Sequence, residues 1–237
     1  MRSILLKFTL ILLIILASAV FSASIIRVAG PKFFSKATFI VPCDSNTIGL
    51  TIDDGPDPIS TPLILDVLKD NGVTATFFIV GKRGEKYKEL LKRITQEGHE
   101  LANHTYSDTV TISLNEIELK KSIKNTHDIL SEFQTIQWFR PGTAFYNSNI
   151  VEEIKPYEYK LVIGDVWPFD TIISSSKFHS WYIQRSVQPG SIIIMHDARG
   201  KGIATAKSLA MVLPKLNSMG YRITSVGKLK SGCEINA

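Results

Sequence analysis

The stretch Ile48-Gly-Leu-Thr-Ile-Asp-Asp-Gly-Pro56 decides how the rest of the chain is read. Its first five residues form a short apolar, β-branched run, and the Asp-Asp-Gly-Pro that follows is a turn former. A buried strand therefore delivers two adjacent carboxylates to a loop. Similar runs recur at Thr74–Val80, His99–Ala102, Ile136–Phe139, Lys160–Ile163, Ser191–Met195 and Tyr221–Val226, which predicts seven strands. Between them lie helical patterns: Thr61–Asp70, Glu85–Gln96, Leu114–Glu132, Asn149–Ile154, Ser176–Val187 and Thr205–Ser218. Gly72, Gly98 and Gly220 stand where helix C-caps want them, while Pro214 predicts a kink or a split in the last helix. Strand and helix alternating so regularly imply an α/β fold with a mainly parallel sheet. With about seven units, a deformed (β/α) barrel in a single domain is more natural than an open sheet.

Working outward, the 237 residues suffice for one sizeable core. Residues 1–23 stand apart: Arg2 and Lys7 precede the apolar run Phe8–Phe21, and Ala17-Ser18-Ala19 offers the small residues of a cleavage site. The segment reads as a signal peptide or an uncleaved signal anchor, and its shortness favours cleavage. Residues 24–42 read as a lead-in and residues 43–233 as the barrel domain. The formal net charge of +5 falls to +3 without Arg2 and Lys7. No long basic run remains, so nucleic acid is not an expected partner, and no protein partner is implied. Cys43 and Cys233 stand near the two ends of the mature domain. They are either two unrelated thiols or a disulfide, which an oxidising compartment favours.

In a parallel barrel the site is built from the segments after the carboxyl ends of the strands. Here those segments carry Asp53-Asp54-Gly55-Pro56, Asn103-His104-Thr105, Arg140-Pro141-Gly142, Asp165-Val166-Trp167 and His196-Asp197. Any one alone would be dull; their joint placement on one rim is what points to chemistry. Asp53 and Asp54 point different ways, so one can bind a metal while the other stays free as a base. His104 and Asp108 are four apart and reach one ion if the segment turns helically. Asp54, His104 and Asp108 would make a carboxylate-rich site suited to zinc or another divalent first-row ion such as cobalt. His196 is placed as a general acid, with Asp165 the candidate to orient it.

The run Thr51-Ile-Asp-Asp-Gly-Pro56, then Asn-His-Thr at 103–105, Phe-Arg-Pro-Gly at 139–142 and Ile-Met-His-Asp at 194–197, resembles the polysaccharide deacetylases of carbohydrate esterase family 4. The likeness runs from about Ile48 to Val226. By that resemblance Asp53 is the base, Asp54 and His104 are metal ligands, and Arg140 holds Asp53. The backbone N–H near Thr143 would bind the oxyanion, Ile194 would line the acetyl-methyl pocket, and His196 would protonate the leaving amine. The expected activity is removal of N-acetyl groups from N-acetylglucosamine units of an extracellular polysaccharide or oligosaccharide, chitin first and peptidoglycan second. The expected location is outside the cell or at the cell wall.

The sequence departs from the family pattern in places. Asp108 stands where a second histidine is usual, so either the metal preference is altered, or the site is weak or empty and the protein binds glycans without turning them over. Thr143 stands where an aromatic is frequent, which leaves Phe145 or Tyr146 to contact the sugar, and Trp167 follows Asp165 closely. Asn103-His104-Thr105 fits a glycosylation pattern, but a glycan there would fill the site, so the match reads as accidental.

Overall fold

The computed structural model describes residues 27, 30, 35–197 and 200–234. The signal-like segment 1–23 therefore lies outside the described residues. All seven expected strands form: β2 (Thr47–Asp53), β3 (Thr76–Ile79), β4 (Glu100–Asn103), β5 (Trp138–Phe139), β6 (Lys160–Val162), β7 (Ile192–His196) and β8 (Arg222–Thr224). An additional strand, β1 (Ala37–Thr38), falls inside the segment read as a lead-in. The sheet order is β1-β6-β5-β4-β3-β2-β7, every pairing is parallel, and β8 pairs with the amino-terminal part of β2. Beyond β6 the chain continues far enough for Val166 to bridge to Ile193 of β7, so the sheet curls into a deformed barrel.

Burial explains why β2 is central. All seven of its residues are buried, as befits a parallel strand covered on both faces. Leu50, Ile52, Phe77, Leu101, Phe139 and Ile193 share one large apolar cluster with the helices outside. The register then fixes the mouth. Asp53 is paired with His196 on one side and Phe78 on the other, Ile79 with Asn103, and Asn103 with Phe139. Residues 53–54, 104, 140 and 196 consequently leave the sheet at nearly the same level.

The helices differ from expectation at informative points. Helix α1 (Ser60–Asp70) forms as expected, but the segment 85–96 is two helices, α2 (Gly81–Lys86) and α3 (Lys88–Gln96), broken at Tyr87 with φ −123° and ψ 51°. Helix α2 starts earlier than expected and passes close to the helix over Glu116–Ser131: a Cβ on Gly81 would lie 2.3 Å from Thr126 Oγ1. Helix α4 (Glu116–Ser131) begins at a reciprocal cap, in which the Asn115 side chain accepts from the Glu118 N–H and Glu118 accepts from that of Asn115. Helices α5 (Ser148–Ile154) and α6 (Ser176–Ser186) follow the expected pattern. Helix α7 (Gly202–Ser218) runs through Pro214 as one element, correcting the expected split. Leu209, Val212, Leu213 and Leu216 bury one face of α7 around the proline, and that packing outweighs one lost backbone bond.

A last helix, α8 (Val226–Glu234), lies beyond the elements that the sequence pattern predicts; it carries Cys233, which forms a disulfide with Cys43 across 190 residues. The bond ties the carboxyl-terminal helix to the entry into β2. Closing so long a loop restrains the unfolded chain, so reduction is expected to cost roughly 2–4 kcal/mol of stability. Chemical denaturation with and without reductant checks this. The midpoint should fall on reduction for the natural chain and stay fixed for Cys43→Ser/Cys233→Ser; equal midpoints in all cases would contradict it.

Candidate active site

Asp53, at the end of β2, is 3% exposed, and its Oδ1 accepts from Arg140 Nη1 at 2.5 Å. Arg140 is itself 1% exposed and fixed from several sides. Its Nε donates to the Val162 carbonyl at 2.9 Å, Nη1 also donates to Thr51 Oγ1 at 2.9 Å, and the guanidinium carbon lies 4.0 Å from the centre of the Phe78 ring. Burial pulls the Arg140 pKa down, against the opposing pull of Asp53. A buried carboxylate paired with a buried guanidinium is costly to break from either side, so Asp53 is held as an oriented acceptor.

His196 arrives beside Asp53 at the end of β7, and its partner is a correction. Asp170, not Asp165, holds it: Nδ1 lies 3.0 Å from Asp170 Oδ1, and the His196 backbone N–H donates to Asp170 Oδ2 at 2.8 Å. Burial lowers the His196 pKa, but the hydrogen bond and charge of Asp170, with the charges of Asp53 and Asp54, outweigh it and raise the value to about 9. Asp165 faces the other way. It accepts from Arg27 Nε at 2.5 Å, Ser191 Oγ at 3.0 Å and the Ile192 N–H at 2.7 Å, closing the barrel between β6 and β7. The physical reason is the strand continuation to Val166, which spends Asp165 on the sheet. The chain then turns back through Phe169 with φ 58° and brings Asp170 to the mouth.

The expected metal ligands are only partly gathered. Asp54, with φ 72°, places Oδ1 3.4 Å from His104 Nε2. That is long for a hydrogen bond, yet two ligands about 2.0–2.1 Å from a tetrahedral zinc stand roughly 3.3 Å apart. The other ring nitrogen of His104 lies 2.6 Å from the Arg140 carbonyl, which fixes the ring with Nε2 toward Asp54, as the orienting partner of a ligating histidine does. Burial raises the Asp54 pKa, but the close approach and charge of His104, with the charges of His196 and Arg83, bring it down to about 2. The His104 pKa is raised: burial works against this, and Asp54 and Asp53 prevail.

Asp108 does not complete the set. Its Oδ2 lies 3.2 Å from Arg83 Nη2 in a half-buried ion pair, and Arg83 Nη1 also donates to the Asp54 carbonyl. Among the described residues no group of three or more His, Cys, Asp and Glu side chains is gathered as a metal site. Two donors thus fit a divalent cation, and the third is held elsewhere.

The loop after β5 carries the remaining candidates. Gly142 is required, since a Cβ there would lie 2.4 Å from the Thr109 carbonyl, and its N–H donates to Thr111 Oγ1 at 2.7 Å. Thr143 and Ala144 follow with φ of 65° and 62°, so the turn presents Thr143 and Phe145 outward, the latter 59% exposed. Tyr146 is half-buried and packs on the core. Trp167 lies with its ring 4.7 Å from that of Phe169, and Ile194 is half-buried with Gly164 packed against it. Asn103 is fully buried, which bars a glycan from it. His99 and His179 are buried away from the mouth, with His179 bonded to Ser208 and the Ile173 carbonyl.

A braced carboxylate, a braced histidine and an Asp–His pair at a barrel mouth are the parts of an acid–base hydrolase. Comparison with known proteins agrees: the model of the polysaccharide deacetylase family matches residues 41–162, just over half of the chain. A peptidoglycan-N-acetylglucosamine deacetylase of Bacillus cereus is 30% identical over 196 residues, 81% of this chain and 92% of that one. A chitooligosaccharide deacetylase of Rhizobium leguminosarum bv. trifolii is 27% identical over 205 residues, covering 77% and 91%. Among solved structures, a family 4 acetyl xylan esterase from Clostridium thermocellum in complex with a cobalt ion superposes with a TM-score of 0.73 at 28% identity, covering 78% and 90%. The chain belongs to the polysaccharide deacetylase family, carbohydrate esterase family 4.

Proposed function

We propose that this protein removes acetyl groups from N-acetylglucosamine units of an extracellular glycan, acting on peptidoglycan strands ahead of chitooligosaccharides. The reading rests on one observation: Asp53 held by Arg140 and His196 held by Asp170 occupy register-paired positions on adjacent strands. Asp53 takes the proton of a water that attacks the acetyl carbon, while Arg140 holds its carboxylate in place. His196 gives a proton to the amide nitrogen as the C–N bond breaks, releasing acetate and leaving the sugar as a free amine. The Thr143 backbone N–H faces the developing oxyanion, Ile194 receives the methyl group, and Phe145, Tyr146 and Trp167 contact the sugar. Asp54 and His104 hold a divalent cation, zinc or cobalt, which when bound supplies Lewis acidity at the carbonyl and a more acidic water.

The sequence alone ranks chitin first. The relatives named for peptidoglycan favour the reverse order, and the signal-like segment and the disulfide agree with a place outside the cell or at its wall. Acetate release from peptidoglycan strands, chitooligosaccharides and acetylated xylan, with added zinc or cobalt, tests the proposal. Most acetate should come from peptidoglycan. Glycan binding without acetate from any polymer at saturating metal would overturn it.

That outcome is the second reading, a silent glycan-binding protein, and the Arg83–Asp108 ion pair is what favours it. Asp108→His separates the two, because it adds an imidazole and removes the carboxylate that Arg83 holds. The expected result is tighter zinc binding by titration and equal or higher turnover. A variant no better at holding zinc would mean that position 108 does not face the site.

A further inference from the structure

Asp197 ends the Ile-Met-His-Asp run and takes no part in the chemistry above, yet it is fully buried. Its backbone N–H donates to the Asp53 carbonyl at 2.9 Å, and its carbonyl accepts from Ser60 Oγ at 2.9 Å. Its Oδ2 accepts from Thr61 Oγ1, so two bonds reach Asp197 from the first turn of α1. The carboxyl is also wedged between two glycines. A Cβ on Gly55 would lie 2.9 Å from Oδ2, and one on Gly202, the first residue of α7, 2.6 Å from Oδ1. Thr205, in the same turn of α7, donates to the His196 carbonyl at 2.7 Å. Burying a carboxyl costs stability unless its bonds compensate, and the bonds of Asp197 run to segments that carry or flank the proposed catalytic groups.

We propose that Asp197 is a positioning residue for the catalytic pair, the joint at which the Asp53–Gly55 loop and the first turns of α1 and α7 meet the end of β7. The side chains of Asp53 and His196 are held by Arg140 and Asp170. Asp197 ties their backbones together, because the residue that follows His196 is the one bonded to the Asp53 carbonyl. Its side chain keeps that link in register by seating Thr61 and Gly55 against it. Burial and the charge of Asp57 push the carboxyl up to about 7, against the hydrogen bonds of Thr61 and Ser60, so an uncharged amide is a fair substitute for it. The inference rests on the proposed roles of Asp53 and His196 as base and acid.

Proton NMR of the chain carrying isotope-labelled histidine, without metal or substrate, is the first arm of the test. The His196 Nδ1 proton, assigned by its loss in His196→Gln, should stand downfield because a carboxylate accepts it. Asp197→Ala should broaden or lose that signal, and Asp197→Asn, which keeps an acceptor for Thr61, should retain it. The second arm is turnover of a peptidoglycan oligomer. Asp197→Ala should lower kcat by roughly tenfold to a hundredfold, the cost of a small misplacement, while KM stays near the natural value. Asp197→Asn should recover most of that loss. Circular dichroism checks folding, and Thr61→Val, which removes the donor to Oδ2, serves if Asp197→Ala does not fold. A missing signal in the natural chain, or an unchanged one in Asp197→Ala, would overturn the joint. So would equal losses of kcat in the alanine and asparagine variants, since that would show an effect of charge alone. The two proposals fail separately: the joint falls on the NMR comparison, whereas the deacetylase reading falls if zinc-saturated natural chain releases no acetate.

Discussion

Asp53→Asn is expected to keep the metal and to lower kcat by roughly 10²–10⁴-fold, the usual worth of a positioned base. Asparagine preserves the shape and can still meet Arg140, whose Nη1 holds Asp53 Oδ1 at 2.5 Å, but it cannot accept a proton from water. The contact between Asp54 and His104 uses no Asp53 atom, and the change removes only the Asp53 charge that helps raise the His104 pKa. Zinc stoichiometry and steady-state acetate release on the same preparation check it. Metal lost together with activity would exchange the roles given to the two aspartates.

Asp170→Asn is expected to lower kcat by roughly tenfold to a thousandfold and to move the upper limb of the pH profile downward. The sign follows from His196, whose pKa is raised to about 9, with Asp170 the first favourable cause against burial. Protonated His196 is the donor, so activity should persist through neutral pH and fall as pH rises through about 9. The stabilising contribution of the pair runs the same way: it is fully present below the ordinary histidine value near 6.5 and lost as pH climbs through about 9. Without the Asp170 charge the histidine should titrate lower and the limb should follow it. Asp165→Asn is the contrast, because Asp165 bonds Arg27, Ser191 and the Ile192 N–H and not His196. It should lower the melting temperature and leave the limb in place. A shifted limb in Asp165→Asn and an unshifted one in Asp170→Asn would restore the partner expected from sequence.

Much of this architecture was legible because a parallel barrel turns strand ends into site positions. Asp53, Asp54, His104, Arg140 and His196 each follow directly on an apolar run, and the register pairs Asp53 with His196. Asp170 escaped because it lies beyond a strand continuation and a left-handed turn at Phe169, neither of which leaves a local signature. Arg83 escaped for a different reason: a basic residue on a short helix reads as solvated, and its carboxylate partner is 25 residues away. The strand Ala37–Thr38 is too short for periodicity to reveal, although its pairing with Leu161 and Val162 seats the segment in the sheet. Pro214 is the opposite case: its local cost is plain in the sequence, whereas the packing that keeps α7 from splitting there is not.

Mass spectrometry of a defined N-acetylated peptidoglycan oligomer, incubated with the zinc-loaded chain and with Asp53→Asn side by side, meets the central claim most directly. Conversion of N-acetylglucosamine to glucosamine by the natural chain, matched by free acetate and missing with the variant, is the predicted result. An oligomer that returns bound but chemically unaltered from metal-saturated protein would contradict it.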